Sequence, residues 1–237
     1  MILIADCHAS VRHGNEAEFV QMLARVAQTG HDVVFLGDIL DFWIALPRYE
    51  QDLHRLFLRW CQEESRRRLV GFVEGNHEFF LAHSHRAAFT FCAADEHVDA
   101  QGRLFVHGDT VNQADRAYLR FRRWVKSDTL RWLEVVAPPG PAIARFIKRH
   151  MEARERCRPK AFPAEQVDAF ARRWFARGVR AIYLGHFHDP HLQEAAEGRV
   201  VQVIPAWHGS GLVGVLAEGT AKAALCPWRE LQARPSP

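Results

Sequence analysis

Residues 1–8 read MILIADCH, an apolar run that ends in an aspartate and a histidine two positions apart. Residues 1–5 are typical of a buried β-strand, and the polar residues follow directly. The same arrangement occurs five times along the 237-residue chain. The polar clusters are Asp6-Cys7-His8, Gly37-Asp38-Ile39-Leu40-Asp41, Gly75-Asn76-His77-Glu78, His107-Gly108-Asp109 and Gly185-His186-Phe187-His188. Because each cluster follows a strand-like segment, we predict that all of them converge on one site at the strand ends.

The apolar pattern predicts alternating strands and helices early in the chain and mostly strands near its end. Apolar runs predict strands over residues 1–5, 32–36, 69–73, 103–106, 180–184, 199–204 and 212–216. Helical spacing predicts helices over residues 16–28, 51–67, 79–94 and 165–177. This order indicates an α/β fold with two sheets or one mixed sheet, and the chain length suits a single domain spanning residues 1–237.

Residues 116–160, which we call the helical insert, differ from the rest of the chain. They contain 13 Lys and Arg against 4 acidic residues, a net charge of +9, whereas the remainder carries a net −6. Helical patterns over residues 118–136 and 142–156 flank the break Pro138-Pro139-Gly140-Pro141, and no strand pattern lies between residues 118 and 160. We therefore predict a helical hairpin inserted into the α/β body.

The polar clusters supply His, Asp and Asn side chains, which bind divalent metals such as Mn, Zn, Fe or Mg. Asp6 and His8 are two positions apart, as are His186 and His188, so in an extended backbone each pair points to one side. Seven candidate ligands suit two octahedral ions, and Mn is the expected metal: Asp6, His8, Asp38, Asn76, His107, His186 and His188. We expect one ion on Asp6, His8, Asp38 and His188, with Asp38 bridging to a second on Asn76, His107 and His186. Such a pair of ions can promote displacement at phosphorus.

Residues next to these ligands suggest further roles. Asn76 and His77 are the candidate catalytic residues, and His77 is expected to protonate a leaving group or to donate a hydrogen bond to a phosphate oxygen. Asp41 and Asp109 are candidates for holding a metal-binding histidine in position, although Asp41 equally suits a helix N-cap. Glu78 would either orient His77 or begin a helix.

In order and spacing, these motifs resemble the calcineurin-like metallophosphoesterase superfamily. Its pattern is DxH, GDxxD, GNH followed by Glu or Asp, then HG or GH, then GHxH, and this chain carries every part in sequence between Asp6 and His188. The resemblance implies a four-layer αββα sandwich with a dinuclear metal centre. It also implies a hydrolase that acts on phosphoric esters or anhydrides.

A narrower resemblance is to the bacterial UDP-2,3-diacylglucosamine diphosphatases of lipid A synthesis. It rests on HGDT at residues 107–110, Tyr118 ahead of a basic hairpin, Trp43, and AWH at residues 206–208. It implies that the hairpin forms a helical cap over the metals, that Tyr118 binds substrate, and that a UDP-lipid is cut at its pyrophosphate. Two roles remain open for His208: it lines the site, or it only satisfies the hydrogen bonding of a turn. Aromatic residues in the basic insert would also suit an anionic membrane surface: Phe121, Trp124, Trp132 and Phe146.

The third motif departs from that narrower family, in which GNRD stands where this chain has Gly75-Asn76-His77-Glu78. An arginine would clamp the substrate phosphate, whereas a histidine can protonate an alkoxide leaving group. A phosphomonoesterase or a phosphodiesterase, including a nuclease that uses the basic insert, therefore remains the alternative. Nucleic acid is the weaker choice of partner, and a metal-free scaffold is disfavoured by the intact ligand set.

The cysteine content and hydropathy bear on location. The five cysteines are odd in number and form no CxxC pair, which favours a reducing compartment over a disulfide framework. No apolar run approaches the length of a membrane span. We expect a cytoplasmic protein, with the inner membrane face as a peripheral contact.

Overall fold

The computed structural model describes residues 1–136, 144–150 and 161–234. Its strands are β1 (Ile2–Ile4), β2 (Val33–Phe35), β3 (Trp43–Ile44), β4 (Val70–Val73), β5 (Glu78–Phe79), β6 (Phe91–Ala93), β7 (Glu96–Val98), β8 (Arg103–Val106), β9 (Ala181–Leu184), β10 (His191–Glu194), β11 (Val200–Val203), β12 (Leu212–Val215) and β13 (Ala224–Pro227). Its helices are α1 (Glu16–Thr29), α2 (Asp52–Glu64), α3 (Leu81–Ser84), α4 (Arg116–Val125), α5 (Asp128–Val136), α6 (144–150), α7 (Ala164–Phe175) and α8 (Trp207–Ser210).

Two large sheets carry the fold. The first has the order β13-β12-β1-β2-β4-β6, and the second has the order β10-β11-β9-β8-β7. In the first, β1, β2, β4 and β6 run parallel; in the second, β8, β9 and β11 do. Parallel strands place their carboxyl ends at the same edge of a sheet, which is where α/β proteins bind ligands.

Alternation along the strands produces four layers. In β1, Ile2 and Ile4 pack in the core shared with α1 and α2, whereas Leu3 packs in the core between the two sheets. In the second sheet, Phe105 and Tyr183 lie in that intersheet core with their ring centroids 5.6 Å apart. The opposite face of the second sheet packs against α7. Because successive residues of a strand point to opposite faces, this arrangement is the predicted αββα sandwich.

The described part of the helical insert packs on a small two-stranded ribbon, β3–β5. Val125, Leu130 and Ile147 form an apolar cluster with Ile44 and Phe79. The predicted helix over residues 118–136 is two helices, α4 and α5, separated by a short break. The second predicted helix, over residues 142–156, falls partly outside the described residues. One domain with a helical insert at residues 116–160 remains our proposal.

The helix predicted over residues 79–94 was wrong. The segment instead forms β5, the short α3, a turn at Arg86–Ala88, and β6. β6 pairs with β4, where Gly71 lies opposite Phe91. A Cβ at Gly71 would lie 2.2 Å from the Phe91 ring, so the missing side chain makes room for this aromatic residue. Pairing with a distant strand thus overrides the local helical pattern.

Two other expectations concern the chain as a whole. The four cysteines in the described residues are free thiols, as predicted from their number and spacing. Within the same residues, no helix combines the length and the apolar character needed to cross a bilayer.

Replacing Phe105 by Ala is expected to lower the free energy of unfolding by about 3–5 kcal/mol, because it opens a cavity in the intersheet core. Phe146→Ala is the matched control, since Phe146 is 49% exposed and its loss is expected to change stability by no more than ~0.5 kcal/mol. Urea unfolding of both variants tests this. Equal losses would contradict the position assigned to Phe105.

Candidate metal centre

The five polar clusters meet at the carboxyl ends of β1, β2, β4, β8 and β9. Within the described residues, three groups place their ligand atoms within 4.8 Å of one another: Asp6, His8 and His188; His8, Asp38 and His77; Asp6, Asp38 and His107. His107 Nε2 also lies 3.1 Å from Asn76 Oδ1 and 3.2 Å from His186 Nδ1. The structure therefore brings all seven candidate ligands together.

Asp38 lies between the two sets of ligands that the sequence assigns to separate ions. Its Oδ2 is 3.4 Å from His107 Nε2, and the same carboxylate belongs to a group with His8. Its Oδ1 accepts a hydrogen bond from the backbone N–H of His77 at 2.8 Å. This position is the one that a bridging carboxylate requires.

The backbone at the site is unusual. Seven non-glycine residues in the described chain have positive φ, and five of them are candidate ligands: Asp6, His8, Asp38, His186 and His188. Left-handed backbone costs an L-residue about 1–2 kcal/mol, and such residues cluster at functional sites. The extended backbone expected for Asp6 and His8, and for His186 and His188, was wrong. Asp6 and His8 nevertheless lie in one group of ligand atoms with His188.

Two glycines leave room for this crowding. A Cβ at Gly75 would lie 2.1 Å from Asp38 Oδ1, and a Cβ at Gly185 would lie 2.8 Å from Asp6 Oδ2. Neither distance is compatible with a side chain at that position, because real nonbonded contacts are longer. Each glycine therefore allows the loop on one strand to touch a carboxylate on another.

The electrostatics of the site fit cations. Burial raises the pKa of Asp38, but His107 and His77 oppose it, and the net pKa is well below the ordinary value. Burial lowers the pKa of His107, but Asp38 and then Asp6 raise it to about 10. Within the described residues, the buried atoms Asp6 Oδ1 and His8 Nε2 have no hydrogen-bond partner. Buried carboxylate and imidazole atoms need such a partner or a metal, so this donor set fits divalent ions.

Comparison with known proteins agrees with this geometry. The family model described as calcineurin-like phosphoesterase matches residues 1–190.

This chain belongs to the calcineurin-like phosphoesterase family. It is a metal-dependent hydrolase of phosphoric ester or anhydride bonds. A UDP-2,3-diacylglucosamine hydrolase of Edwardsiella ictaluri is 30% identical over 234 residues, which cover 92% of this chain and 89% of that protein. The protein of the same description from Neisseria gonorrhoeae is 30% identical over 221 residues, covering 86% and 88%. The superfamily predicted from the motifs is thus confirmed.

Glu78 has a role that the sequence did not reveal. Its side chain is fully buried, and its carboxylate accepts hydrogen bonds from the backbone N–H groups of Asp38, Ile39 and Gly75, each at 2.8 Å. Burial and the nearby Asp38 carboxylate raise the pKa of Glu78 to about 7, while the N–H donors oppose that rise. Glu78 therefore fastens the loop after β2 to the loop after β4. The expectation that it orients His77 or begins a helix was wrong.

His77 lies at the edge of the candidate metal centre and is 6% exposed. Its Nδ1 donates a hydrogen bond to the backbone carbonyl of Asp41. That contact directs the other ring nitrogen inwards, where His77 Nε2 lies 3.8 Å from Asp38 Oδ2. The ring is thus oriented by the loop after β2, with one nitrogen facing the candidate ligands.

Asp109 connects the loop after β8 to the helical insert. Its carboxylate accepts hydrogen bonds from the Tyr118 hydroxyl at 2.5 Å and from Arg122 Nε at 2.6 Å. Arg122 also pairs with Asp95 at 2.5 Å. Burial raises the pKa of Asp109, but Arg122 and then His107 bring it well below its ordinary value. Helix α4 is therefore fixed to the residue two positions after His107.

Two lysines make equivalent contacts from other parts of the insert. Lys126 Nζ lies 2.9 Å from Glu74 Oε2 and donates to the Gly75 carbonyl at 2.9 Å. Lys148 Nζ lies 2.9 Å from Asp41 Oδ2. Glu74 is adjacent to the loop that carries Asn76, and Asp41 is in the loop that carries Asp38. Basic residues of the insert thus dock onto acids beside three of the five ligand clusters.

Replacing Glu78 by Gln is expected to lower the free energy of unfolding by about 1–3 kcal/mol and to weaken Mn²⁺ binding, because one amide oxygen cannot replace two carboxylate oxygens facing N–H donors. Urea unfolding and calorimetric Mn²⁺ titration measure the two effects. Glu165→Gln, at an exposed position of α7, is the control and should behave as the wild type. Wild-type stability and Mn²⁺ affinity in Glu78→Gln would show that Glu78 only fills space.

Proposed function

We propose that this chain hydrolyses the pyrophosphate of UDP-2,3-diacylglucosamine to UMP and 2,3-diacylglucosamine 1-phosphate. The observation that carries the proposal is the meeting of two sets of metal-ligand atoms at Asp38, beneath a basic and aromatic insert. The substrate is taken from the names of the Edwardsiella and Neisseria relatives, whose similarity extends over nearly the whole of both chains. Together these features support a phosphoric anhydride attached to a lipid.

In this proposal the ligands divide into two sets that share Asp38. Asp6, His8, Asp38 and His188 would hold one ion, and Asp38, Asn76, His107 and His186 would hold the second. The donor set of imidazole, carboxylate and amide fits Mn²⁺ best, with Zn, Fe or Mg as alternatives. When bound, such ions neutralise developing charge on the phosphoryl oxygens and lower the pKa of water.

His77 and Asn76 act on the substrate phosphate in this scheme. The Asp41 carbonyl accepts from His77 Nδ1, so Nε2 is the nitrogen that would contact a phosphoryl oxygen. A pyrophosphate releases a phosphate monoester, a weak base that needs no proton, so His77 would act there as an imidazolium, donating from Nδ1 to Asp41 and from Nε2 to the phosphoryl oxygen. With an alkyl ester, the same nitrogen would instead protonate the leaving oxygen.

The helical insert supplies the surface for the lipid part. Its exposed apolar side chains include Trp124 at 49%, Trp132 at 62% and Phe146 at 49% exposure. A cavity of about 380 Å³ between α4 and α5 is lined by both basic and apolar groups: Arg120, Arg123, Trp124, Ser127, Thr129, Leu130 and Leu133. Aromatic residues among arginines suit acyl chains and an anionic membrane surface. We therefore propose that this protein associates peripherally with the inner face of the membrane.

Tyr118 lies where the insert meets the metal centre. It lies in the first turn of α4, and its hydroxyl donates a hydrogen bond to Asp109, two residues after His107. We propose that it borders the substrate pocket. Asp41 and Asp109 support the same pocket by holding Lys148 and Arg122 of the insert.

A phosphomonoesterase or phosphodiesterase is the second candidate, and one observation favours it. The residue beside Asn76 is a histidine with its ring directed at Asp38, and such a group is most useful when an alkoxide must be protonated.

The two candidates predict different substrate preferences. Mn²⁺-loaded wild type is expected to hydrolyse UDP-2,3-diacylglucosamine with a higher kcat/KM than p-nitrophenyl phosphate or bis(p-nitrophenyl) phosphate. His77→Arg is expected to keep most of the UDP-lipid activity, because an arginine also binds a phosphoryl oxygen. His77→Ala is expected to lose about 10²-fold or more on every substrate. Steady-state kinetics measures each value.

The control variant is His31→Ala, at an exposed residue preceding β2 and so at the opposite edge of the first sheet. It should match the wild type. Preferential hydrolysis of the nitrophenyl esters, with loss of all activity in His77→Arg, would overturn the pyrophosphatase assignment and establish the second candidate.

A further inference from the structure

Two histidines that are not among the seven candidate ligands lie beside the candidate metal centre. The rings of His13 and His208 have centroids 4.7 Å apart, and each centroid is 6.4 Å from that of His8. His8 is one of the buried candidate ligands, whereas His13 and His208 are exposed residues. The pair therefore lies on the solvent side of the metal centre, adjacent to it but too far away to share its ligand cluster.

The tautomer of His208 is fixed by Asn15. Asn15 Oδ1 accepts a hydrogen bond from the Ser10 N–H at 3.0 Å, and its Nδ2 donates to the Cys7 carbonyl at 3.1 Å. These two contacts settle which end of the amide is nitrogen. The same Nδ2 lies 3.3 Å from His208 Nδ1, so that ring nitrogen is the acceptor. In a neutral imidazole the other nitrogen, Nε2, then carries the proton and is a donor.

Backbone contacts hold both rings in place. The His208 N–H donates to the Asp6 carbonyl at 3.1 Å, which fastens the turn after β11 to the loop that carries the first ligands. His13 ends the short helical turn Val11–His13, and its N–H donates to the Ser10 hydroxyl at 3.3 Å. Two loops from distant parts of the chain thus present imidazoles to the same space.

The local charge is suited to an anion. His13 Nε2 lies 3.3 Å from Asp41 Oδ1, within hydrogen-bonding distance. Lys148 Nζ lies 2.9 Å from Asp41 Oδ2, and an Arg12 guanidinium nitrogen lies 3.9 Å from that oxygen. Lys148 and Arg12 therefore oppose the negative charge of the carboxylate that faces His13.

We propose that His208, oriented by Asn15 and packed beside His13, donates from Nε2 to the phosphoryl group adjacent to the one under attack and so selects diphosphates over monoesters. This inference rests on the proposed function, because it assigns the second phosphoryl group of that substrate. If one phosphoryl group of the diphosphate lay at the metal centre next to His8, the second phosphoryl group would lie on the solvent side, where the two imidazoles are. Hydrogen bonds from oriented donors to an anionic oxygen are stronger than those between neutral groups.

Binding of two non-reacting probes to the Mn²⁺-loaded protein tests the proposal. Methylenediphosphonate carries two phosphoryl groups, and inorganic phosphate carries one. His208→Ala is expected to weaken calorimetric binding of methylenediphosphonate about tenfold, the equivalent of one charge-assisted hydrogen bond. His13→Ala is expected to weaken it less, because His13 Nε2 already faces Asp41. Binding of inorganic phosphate should change less than about twofold. His208→Gln should recover part of the loss, since its amide can donate from a similar position.

A spectroscopic readout tests the role of Asn15 separately. Nitrogen-15 NMR of labelled histidine should show His208 protonated at Nε2 in the wild type. In Asn15→Asp, which keeps the acceptor for Ser10 but replaces the donor by a second acceptor, it should show the proton on Nδ1. His31→Ala is the control for binding, and bound Mn²⁺ should be unchanged in the His13 and His208 variants.

Unchanged methylenediphosphonate affinity in His208→Ala, or an Nδ1-protonated His208 in the wild type, would overturn the inference. Its failure is distinguishable from failure of the proposed function. If the wild type cleaves the UDP-lipid and His208→Ala has the same KM, only the present inference is wrong. If the wild type cleaves no anhydride but His208→Ala binds the diphosphonate more weakly, the pyrophosphatase assignment is wrong and the anion site stands.

Discussion

The carboxylates of Asp6 and Asp38 are removed from water and lie in one cluster with imidazoles. Burying two like charges together is unfavourable unless cations or hydrogen-bond donors compensate. Some compensation is built into the chain, since Asp6 Oδ2 accepts the His186 N–H and Asp38 Oδ1 accepts the His77 N–H, both at 2.8 Å. The remaining oxygens face the ring nitrogens. The whole loop arrangement depends on this concentration of negative charge and on the divalent ions that it would bind.

The rest of the molecule can be understood as the support for that cluster. The four layers provide parallel strands whose ends meet, and the three backbone N–H groups on Glu78 join two of the resulting loops. The left-handed residues at the site store conformational strain, which the packed sheets beneath them can hold. Acids next to the candidate ligands then bind basic residues of the helical insert, so the insert and the candidate metal centre are joined by ion pairs as well as by apolar packing. The positive charge of the insert is partly used in this docking.

Much of this could be predicted from the sequence, because the relevant signals are local. Each ligand cluster follows its strand directly, and parallel strands end at a common edge of the sheet. The order of strands and clusters along the chain was therefore enough to predict that the clusters converge. The four layers followed once the motifs identified the superfamily. The features that could not be predicted depend on residues far apart in the chain. Glu78 binds an N–H 40 positions away at Asp38, and Phe91–Ala93 form β6 because β4 leaves room for Phe91 opposite Gly71.

The most direct test of the dinuclear site is a crystal structure of the protein loaded with Mn²⁺, with anomalous scattering measured at the manganese edge. The account predicts two anomalous peaks about 3.5–4 Å apart, both within bonding distance of Asp38, one beside His8 and the other beside His107. A single peak at full occupancy, or two peaks that do not share Asp38, would contradict it.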